Sequence, residues 1–486
     1  MGFAYKLGAV LAGTVLAFPG GTALPRHGAA AAPEIAWAPC ADNRAVECGE
    51  LQVPVDWGRP GGARFGLAVA RLKAAEPGRR IGVLAVNFGG GPGTDFVQGA
   101  ASTYFSKEIL ARFDIVSFDP RGMGRSSPVR CSADIVRREP LPTPRDQAEF
   151  DRFRAYTAEL AADCRRRTGP VADHLDSVSG ARDLDAVRAA LGESTISYHG
   201  VSAGTLPGQH YAELFGRNLR AMSLDSVVDH SMPTGRFLKS QAANAEDAFV
   251  AFARWCARDR ACALHGRDVP QIWDGLMVRA DRGTLRDPAM AGRVLSAYDL
   301  ATEAHLGGLM GPDYSWLAKR MASLESGKPG PRGIVRGGPP PEMREIEHPA
   351  VAGCQDWRLT ISDHRRFAAL AAKMRRVAPH MRTQPDTQAF ALTCALWPVE
   401  PRNPQHRLKV PAGTPPILLV NARHDPATGH TRAVRVLRQL GQGAALVTYE
   451  GAGHGAYERT ACTRRAVDDY LLHLRVPAGD GLTCER

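Results

Sequence analysis

Residues 200–204 read Gly-Val-Ser-Ala-Gly and stand between a strand-like run, Thr195–His199, and a helical stretch, Gln209–Phe215. A Gly-x-Ser-x-Gly string recurs by chance, but a serine at a strand-to-helix turn constrains the fold strongly. Such a turn is sharp, strains the serine backbone and needs glycine on both sides for room. It also puts the serine oxygen beside a helix N-terminus, where developing negative charge is favoured. An ordinary glycine turn with a surface serine is the bland alternative.

The flanking sequence repeats the strand–helix alternation. Leu51–Val55 and Phe65–Leu72 have strand character, and Ile81–Asn87 and Phe113–Phe118 are continuous apolar runs of the kind a buried strand shows. Ser179–Leu191 carries Leu184, Val187 and Leu191 at helical spacing before Gly192, and Ala221–Asp225 is strand-like again. From about residue 235 to 400 the chain turns mostly helical, broken by a Gly/Pro-rich loop over Gly327–Pro341. The alternation then resumes with Ile417–Asn421, Thr431–Leu440, Ala445–Tyr449 and Ala466–Leu474 as strand, helix, strand and helix. A mainly parallel α/β sheet interrupted by a helical insertion is expected. The organisation predicted is a core over 33–230, a helical cap over 231–410, and the remainder of the core over 411–486.

A serine hydroxyl needs a base to become a nucleophile, and the base needs an acid to orient it. In the α/β-hydrolase fold these follow in the order Ser, Asp or Glu, His. The resumed core supplies both, Asp425 after the strand Ile417–Asn421 and His454 within Gly451-Ala452-Gly453-His454-Gly455. Both fall at carboxyl ends of strands, where open parallel sheets place their ligands. The expected roles are Ser202 nucleophile, Asp425 orienting acid and His454 general base, with Asp225 a rival acid. The glycines at 89–91 follow a strand, where backbone N–H groups stabilise an oxyanion; Ala203 and Gly91 are the expected donors, Gly90 the alternative. A dinucleotide loop is disfavoured because Thr94 stands where the pattern needs glycine. His424 and His430 flank Asp425 but lack a third ligand, so no metal is expected.

The N-terminus has the order of an export signal: Lys6, the apolar stretch Leu7–Phe18, then small residues. Residues 1–32 are expected to be removed, by cleavage after Ala23 or within Ala29–Ala32. A membrane anchor fits less well, since Pro19 breaks a short stretch, and no later apolar run is long enough for a stable span. The ten cysteines include no Cys-x-x-Cys, and an even number after a signal suggests disulfides. Neighbours are the economical partners: Cys40–Cys48, Cys131–Cys164, Cys256–Cys262, Cys354–Cys394 and Cys462–Cys484. The alternative is that some are free buried thiols. The net charge of +11 arises from arginines scattered among acids, so nucleic acid is not an expected partner. A secreted protein is expected.

In serial order, Gly90-Gly91-Pro92-Gly93, Asp119-x-Arg-Gly-x-Gly-x-Ser126, Gly-x-Ser202-x-Gly, Asp425-Pro426-Ala427-Thr428 and Gly453-His454-Gly455 resemble the secreted tripeptidyl aminopeptidases. These are α/β-hydrolases related to prolyl iminopeptidases, and the Cys462–Cys484 segment resembles their C-terminal ending. The resemblance implies a serine exopeptidase that releases short peptides from free N-termini without a cofactor. Three departures border the scissile bond. Phe88-Gly89 replace Asn-Pro, Ala203 replaces the usual Tyr, and Pro207 is expected in the second helical turn, forfeiting a bond to the Ala203 carbonyl. An esterase or amidase for small acyl substrates is the competing expectation, and a silent binding protein is disfavoured by the intact Ser202, Asp425 and His454. An exopeptidase needs an acid for the substrate's α-ammonium; Glu246, Asp247, Glu303, Asp313, Asp356 and Glu345 are the candidates.

Overall fold

Among the described residues twelve strands are laid down in chain order: β1 (Ala38–Pro39), β2 (Glu47–Pro54), β3 (Arg64–Leu72), β4 (Gly82–Asn87), β5 (Phe113–Phe118), β6 (Arg130–Ser132), β7 (Ile196–Val201), β8 (Leu219–Asp225), β9 (Glu345–Glu347), β10 (Ile417–His424), β11 (Ala444–Ala452) and β12 (Leu482–Cys484). The computed structural model describes residues 34–335, 338–477 and 481–486, so the export segment expected over residues 1–32 lies outside them. Ten strands form one sheet in the order β1-β2-β3-β5-β4-β7-β8-β10-β11-β12, and β6 pairs with β9 separately. The β1–β2, β2–β3 and β3–β5 pairs are antiparallel, and every pair from β5–β4 to β11–β12 is parallel.

The continuous apolar runs follow from burial on both faces. All six residues of β5 and of β7 are buried. Helices Ser177–Ala190, Thr205–Phe215 and His430–Leu440 cover one face, placing Leu184, Val187, Tyr211 and Val436 in a core with Leu419 and Met222. Helices Gly93–Gly99, Lys107–Arg112 and Ala461–His473 cover the other, through Val97, Ile109, Val467 and Tyr470 against Leu84 and Leu418.

Between β8 and β10 run helices Thr234–Arg258, Val269–Asp281, Ala297–Glu303, Tyr314–Ser326, His364–Val377 and Pro385–Ala395. They build two apolar clusters of their own, one around Phe249 and Trp273, the other around Phe237, Trp357 and Leu370. The second takes in Phe150 and Phe153 of helix Gln147–Thr168, which ties the insertion to the first half of the chain. The cysteine sulfurs stand at bonding distance in five pairs, 40–48, 131–164, 256–262, 354–394 and 462–484, the neighbour pairing. Among the described residues no helix is long and apolar enough to cross a membrane.

Candidate active site

The turn after β7 is compressed, and its glycines show why. Ser202 has φ of 56°, in the left-handed region that disfavours a side chain. A Cβ on Gly204 would stand 2.0 Å from the Asn87 carbonyl oxygen, and one on Gly200 would stand 2.7 Å from the Gly204 carbonyl. The turn is pinned by the Tyr198 hydroxyl, which donates to the Gly204 carbonyl at 2.6 Å, and by the Thr205 hydroxyl, which donates to the Ser202 carbonyl at 2.7 Å. The helix begins at Thr205, so Pro207 sits in its first turn rather than the expected second. N–H groups there lack intrahelical partners in any case, and the proline costs little.

The glycine loop after β4 presses on this turn. Gly89 has φ of 71°, and a Cβ there would meet the Gly204 nitrogen at 2.4 Å and the Ala203 Cβ at 2.7 Å. Glycine at this departure from the family pattern is thus required by contact. Phe88 stacks on Phe96 with ring centroids 3.9 Å apart. Gly90 donates its N–H to the Phe88 carbonyl at 2.9 Å. The Asp119–Ser126 motif holds the loop from behind: Asp119 accepts from the Thr94 N–H at 2.9 Å, the Thr94 hydroxyl at 2.7 Å and the Arg125 N–H at 2.8 Å. Ser126 Oγ accepts the Ala68 N–H at 2.9 Å, locking the motif to β3.

His454 Nδ1 lies 3.0 and 3.1 Å from the two oxygens of Asp425. Asp425 is 1% exposed and also accepts from the N–H groups of Ala427 and Thr428 at 2.8 and 2.9 Å, the Thr428 hydroxyl at 3.0 Å and the Ser226 hydroxyl at 2.8 Å. Burial alone would raise its pKa, but the His454 charge and these donors bring it down to about 2. His454 is shifted in the opposite sense: burial lowers its pKa, and Asp425 outweighs that to hold it above 6.5. The rival Asp225 does another job. It accepts the N–H groups of Ala456 and Tyr457, both at 2.8 Å, fixing the loop that follows His454, and burial pushes its pKa up to about 6. Ser226, with φ of 56°, accepts the Gly455 N–H at 2.8 Å while donating to Asp425. His424 and His430 diverge, the former to Asp247 at 2.8 Å and the latter to Thr448 at 2.8 Å.

A cavity of about 570 Å³ opens beside the turn, lined by Gly89, Gly90, Ala203, Ala427 and Thr428 from the core and by His305, Met310, Trp357, Gln384 and Asp386 from the insertion. Of the six acids expected from the sequence, only Asp356 lines it. Glu246 accepts the Met381 N–H at 2.9 Å, Asp247 binds His424, and Glu303 pairs with Arg320 at 2.9 Å. Asp313 caps the helix that starts at Tyr314, and Glu345 pairs with Arg130 at 3.0 Å. Asp386, Ser226 and Thr428 were not singled out from the sequence. Ser226 follows a strand with no glycine or motif to mark it, whereas Thr428 ends the Asp425-Pro426-Ala427-Thr428 stretch and only the fold reveals its contact.

A serine on a strained strand-to-helix turn and a histidine bonded to a buried aspartate, both at the carboxyl edge of a mainly parallel sheet, define a serine hydrolase of the α/β-hydrolase fold. A family model described as TAP-like protein matches residues 382–484. Serine protease Hip1 of Mycobacterium tuberculosis is 30% identical, over 90% of this chain and 88% of its own. Carboxylesterase B of the same organism is 34% identical over 97% and 96%. A tripeptidyl aminopeptidase of Streptomyces lividans is 32% identical over 94% and 87%. This chain therefore belongs to the tripeptidyl aminopeptidase-like family of serine hydrolases.

Proposed function

We propose that Ser202 is the nucleophile, His454 the general base and Asp425 the acid that orients it, in an exported aminopeptidase that releases short peptides from free N-termini. The observation that carries this reading is the bond from His454 Nδ1 to Asp425 at 3.0 Å, made at the sheet edge where Ser202 begins its turn. Donation from Nδ1 leaves the lone pair on Nε2, the tautomer able to take the Ser202 proton. Attack on the substrate carbonyl then builds an oxyanion for the N–H groups of Ala203 and Gly91; the Gly90 N–H is engaged by Phe88. His454 returns its proton to the leaving amine, the N-terminal fragment stays as an ester on Ser202, and water activated by the same histidine releases it.

The insertion, taken as the cap over 231–410, supports the exopeptidase choice by walling one side of the cavity with His305, Gln384 and Asp386. Residues 1–32 serve as the export signal, and the five cysteine pairs fit an oxidising compartment. The relative named carboxylesterase B favours the second reading, an esterase for small acyl groups. A tripeptide chromogen with a free N-terminus, assayed beside its N-acetylated form, separates the two. The aminopeptidase reading expects kcat/KM at least about tenfold higher on the free form. Equal rates would move the protein to the esterase or endopeptidase class.

A further inference from the structure

Three helices meet around a groove of about 590 Å³ that shares no lining residue with the cavity beside Ser202. Helix Thr234–Arg258 brings Arg236 and Lys239 to it, helix His364–Val377 brings Lys373 and Arg376, and helix His430–Leu440 brings Arg435. No acid lines it. The sequence of the helices explains why. His364–Val377 and His430–Leu440 contain no aspartate or glutamate, and the first acid of Thr234–Arg258 is Glu246. Glu246 and Asp247 lie one turn beyond Ala243, where this helix leaves the groove. Both are taken, Glu246 by the Met381 N–H at 2.9 Å and Asp247 by His424 at 2.8 Å.

Elsewhere on the surface arginine is commonly paired, as Arg79 is with Glu76 at 2.7 Å, Arg165 with Asp173 at 2.7 Å and Arg267 with Glu325 at 2.6 Å. Among the described residues none of the five groove cations has an ion-pair partner or a side-chain hydrogen bond. Arg236 and Lys239, like Lys373 and Arg376, stand three apart on one helix face, a spacing at which like charges repel. A concave surface of one sign concentrates counter-ions, and a bound anion would offset the repulsion. The backbone adds to this field. Pro233 gives helix Thr234–Arg258 no side-chain cap, and Gly235 of its first turn lines the groove. N–H groups of a first turn have no intrahelical partner and form the positive end of the helix. Three guanidinium groups match the oxygens of phosphate, and two ammonium groups add point charges. Five cations call for a ligand with several negative charges of its own. The lining holds no aromatic ring on which a base could stack, so a bare chain of phosphoryl groups fits better than a nucleic-acid strand.

We infer that Arg236, Lys239, Lys373, Arg376 and Arg435 form a binding site for an oligophosphate, separate from the catalytic machinery. Along the chain arginines are scattered among acids, and only the packing of these three helices gathers cations without them. The test is calorimetric titration of the full chain with sodium tripolyphosphate. Wild type is expected to bind about one per chain, with Kd below about 0.1 mM in about 50 mM salt. Binding should weaken at least about threefold in about 150 mM salt, as screening of exposed charges requires. Lys373→Gln/Arg376→Gln is expected to weaken it at least about tenfold. Arg217→Gln/Lys319→Gln removes the same two charges outside the groove and should stay within about twofold of wild type. All four substituted positions are exposed, so each variant is expected to keep its fold, which circular dichroism checks. No binding by wild type up to about 1 mM ligand, a groove variant within about twofold of wild type, or an equal loss in the control would overturn the site. Tighter binding of a thymidine oligonucleotide than of tripolyphosphate would overturn the ligand class.

Discussion

The backbone N–H of His454 donates to the carbonyl of Met310 at 2.9 Å, so the loop bearing the proposed general base is bonded directly to the helical insertion. The same loop is fixed from the core by Ser226 at Gly455 and by Asp225 at Ala456 and Tyr457. Arg459 closes it from the far side, donating to the carbonyls of Gly455 and His454 at 2.9 and 3.0 Å. The imidazole is thus placed by bonds to its backbone from both parts of the molecule.

Gly453 is the point where this arrangement admits no side chain. Its φ is 107°, and a Cβ there would stand 2.6 Å from Pro312 Cδ. Gly453→Ala is expected to lower kcat at least about tenfold, because a displacement of about 1 Å at the base is costly. Tm should fall too, since strain at such a φ costs roughly 1–3 kcal/mol. Steady-state kinetics and calorimetry check both; unchanged values in each would mean that the loop relaxes freely away from Met310 and Pro312.

Ser202→Ala is expected to abolish covalent labelling by a fluorophosphonate and to cut kcat by roughly 10⁴-fold or more. The fold should be retained, since Ser202 makes its turn through backbone bonds that alanine keeps, although φ of 56° suits neither residue well. Full labelling of the variant would remove Ser202 from the mechanism.

The pH profile follows from the pair at the base. His454 must be neutral to accept a proton, and Asp425 holds its pKa above 6.5, so kcat/KM is expected to fall as pH drops through a value above 6.5. Asp425, at about 2, stays ionised throughout that window. In Asp425→Asn the charge that most raises the His454 pKa is gone, and burial, the largest single effect on it, lowers that pKa against the smaller pull of Asp225. The acid limb should therefore move to lower pH while the plateau rate drops by roughly 10⁴-fold. A limb that stays in place in the variant would assign it to another group.

Much of the core was legible because burial on both faces writes continuous apolar runs, as in β4, β5 and β10. The turn at Ser202 was legible for a local reason too, since contact distances force its glycines. Helix Gln147–Thr168 has no such signal in the sequence. Its buried stripe of Phe150, Phe153, Tyr156 and Leu160 is diluted by arginine, aspartate and glutamate on the outer face. The acids of the insertion were beyond local reading altogether. Glu303 is committed to Arg320, Asp247 to His424 and Glu246 to backbone at residue 381, partners between 17 and 177 residues away. No pattern within a single helix reports such commitments. Pro207 shows the converse: one residue's shift in where a helix starts turned an apparent defect into a neutral choice.

On the proposed aminopeptidase reading, the substrate's free N-terminus needs an acid in the cavity. Three acids line it, Asp176, Asp356 and Asp386. Asp176 accepts the Ser179 N–H and hydroxyl, both at 2.9 Å. Asp356 binds Ser177 through both oxygens and Asn403 at 2.7 Å, and burial pushes its pKa up to about 6. Asp386 is half exposed, in the first turn of helix Pro385–Ala395, with Oδ2 3.5 Å from His305 Nε2. Burial pushes the His305 pKa down to about 4. A substrate ammonium bonded to Asp386 gains about 1.5–3 kcal/mol, roughly tenfold to a hundredfold in rate when the bond is made in the transition state. Asp386→Asn keeps the shape and removes the charge, so kcat/KM on the free tripeptide should fall at least about tenfold while the acetylated one is unaffected. A parallel loss on both substrates would make Asp386 a structural residue, and no loss on either would place the ammonium against another group.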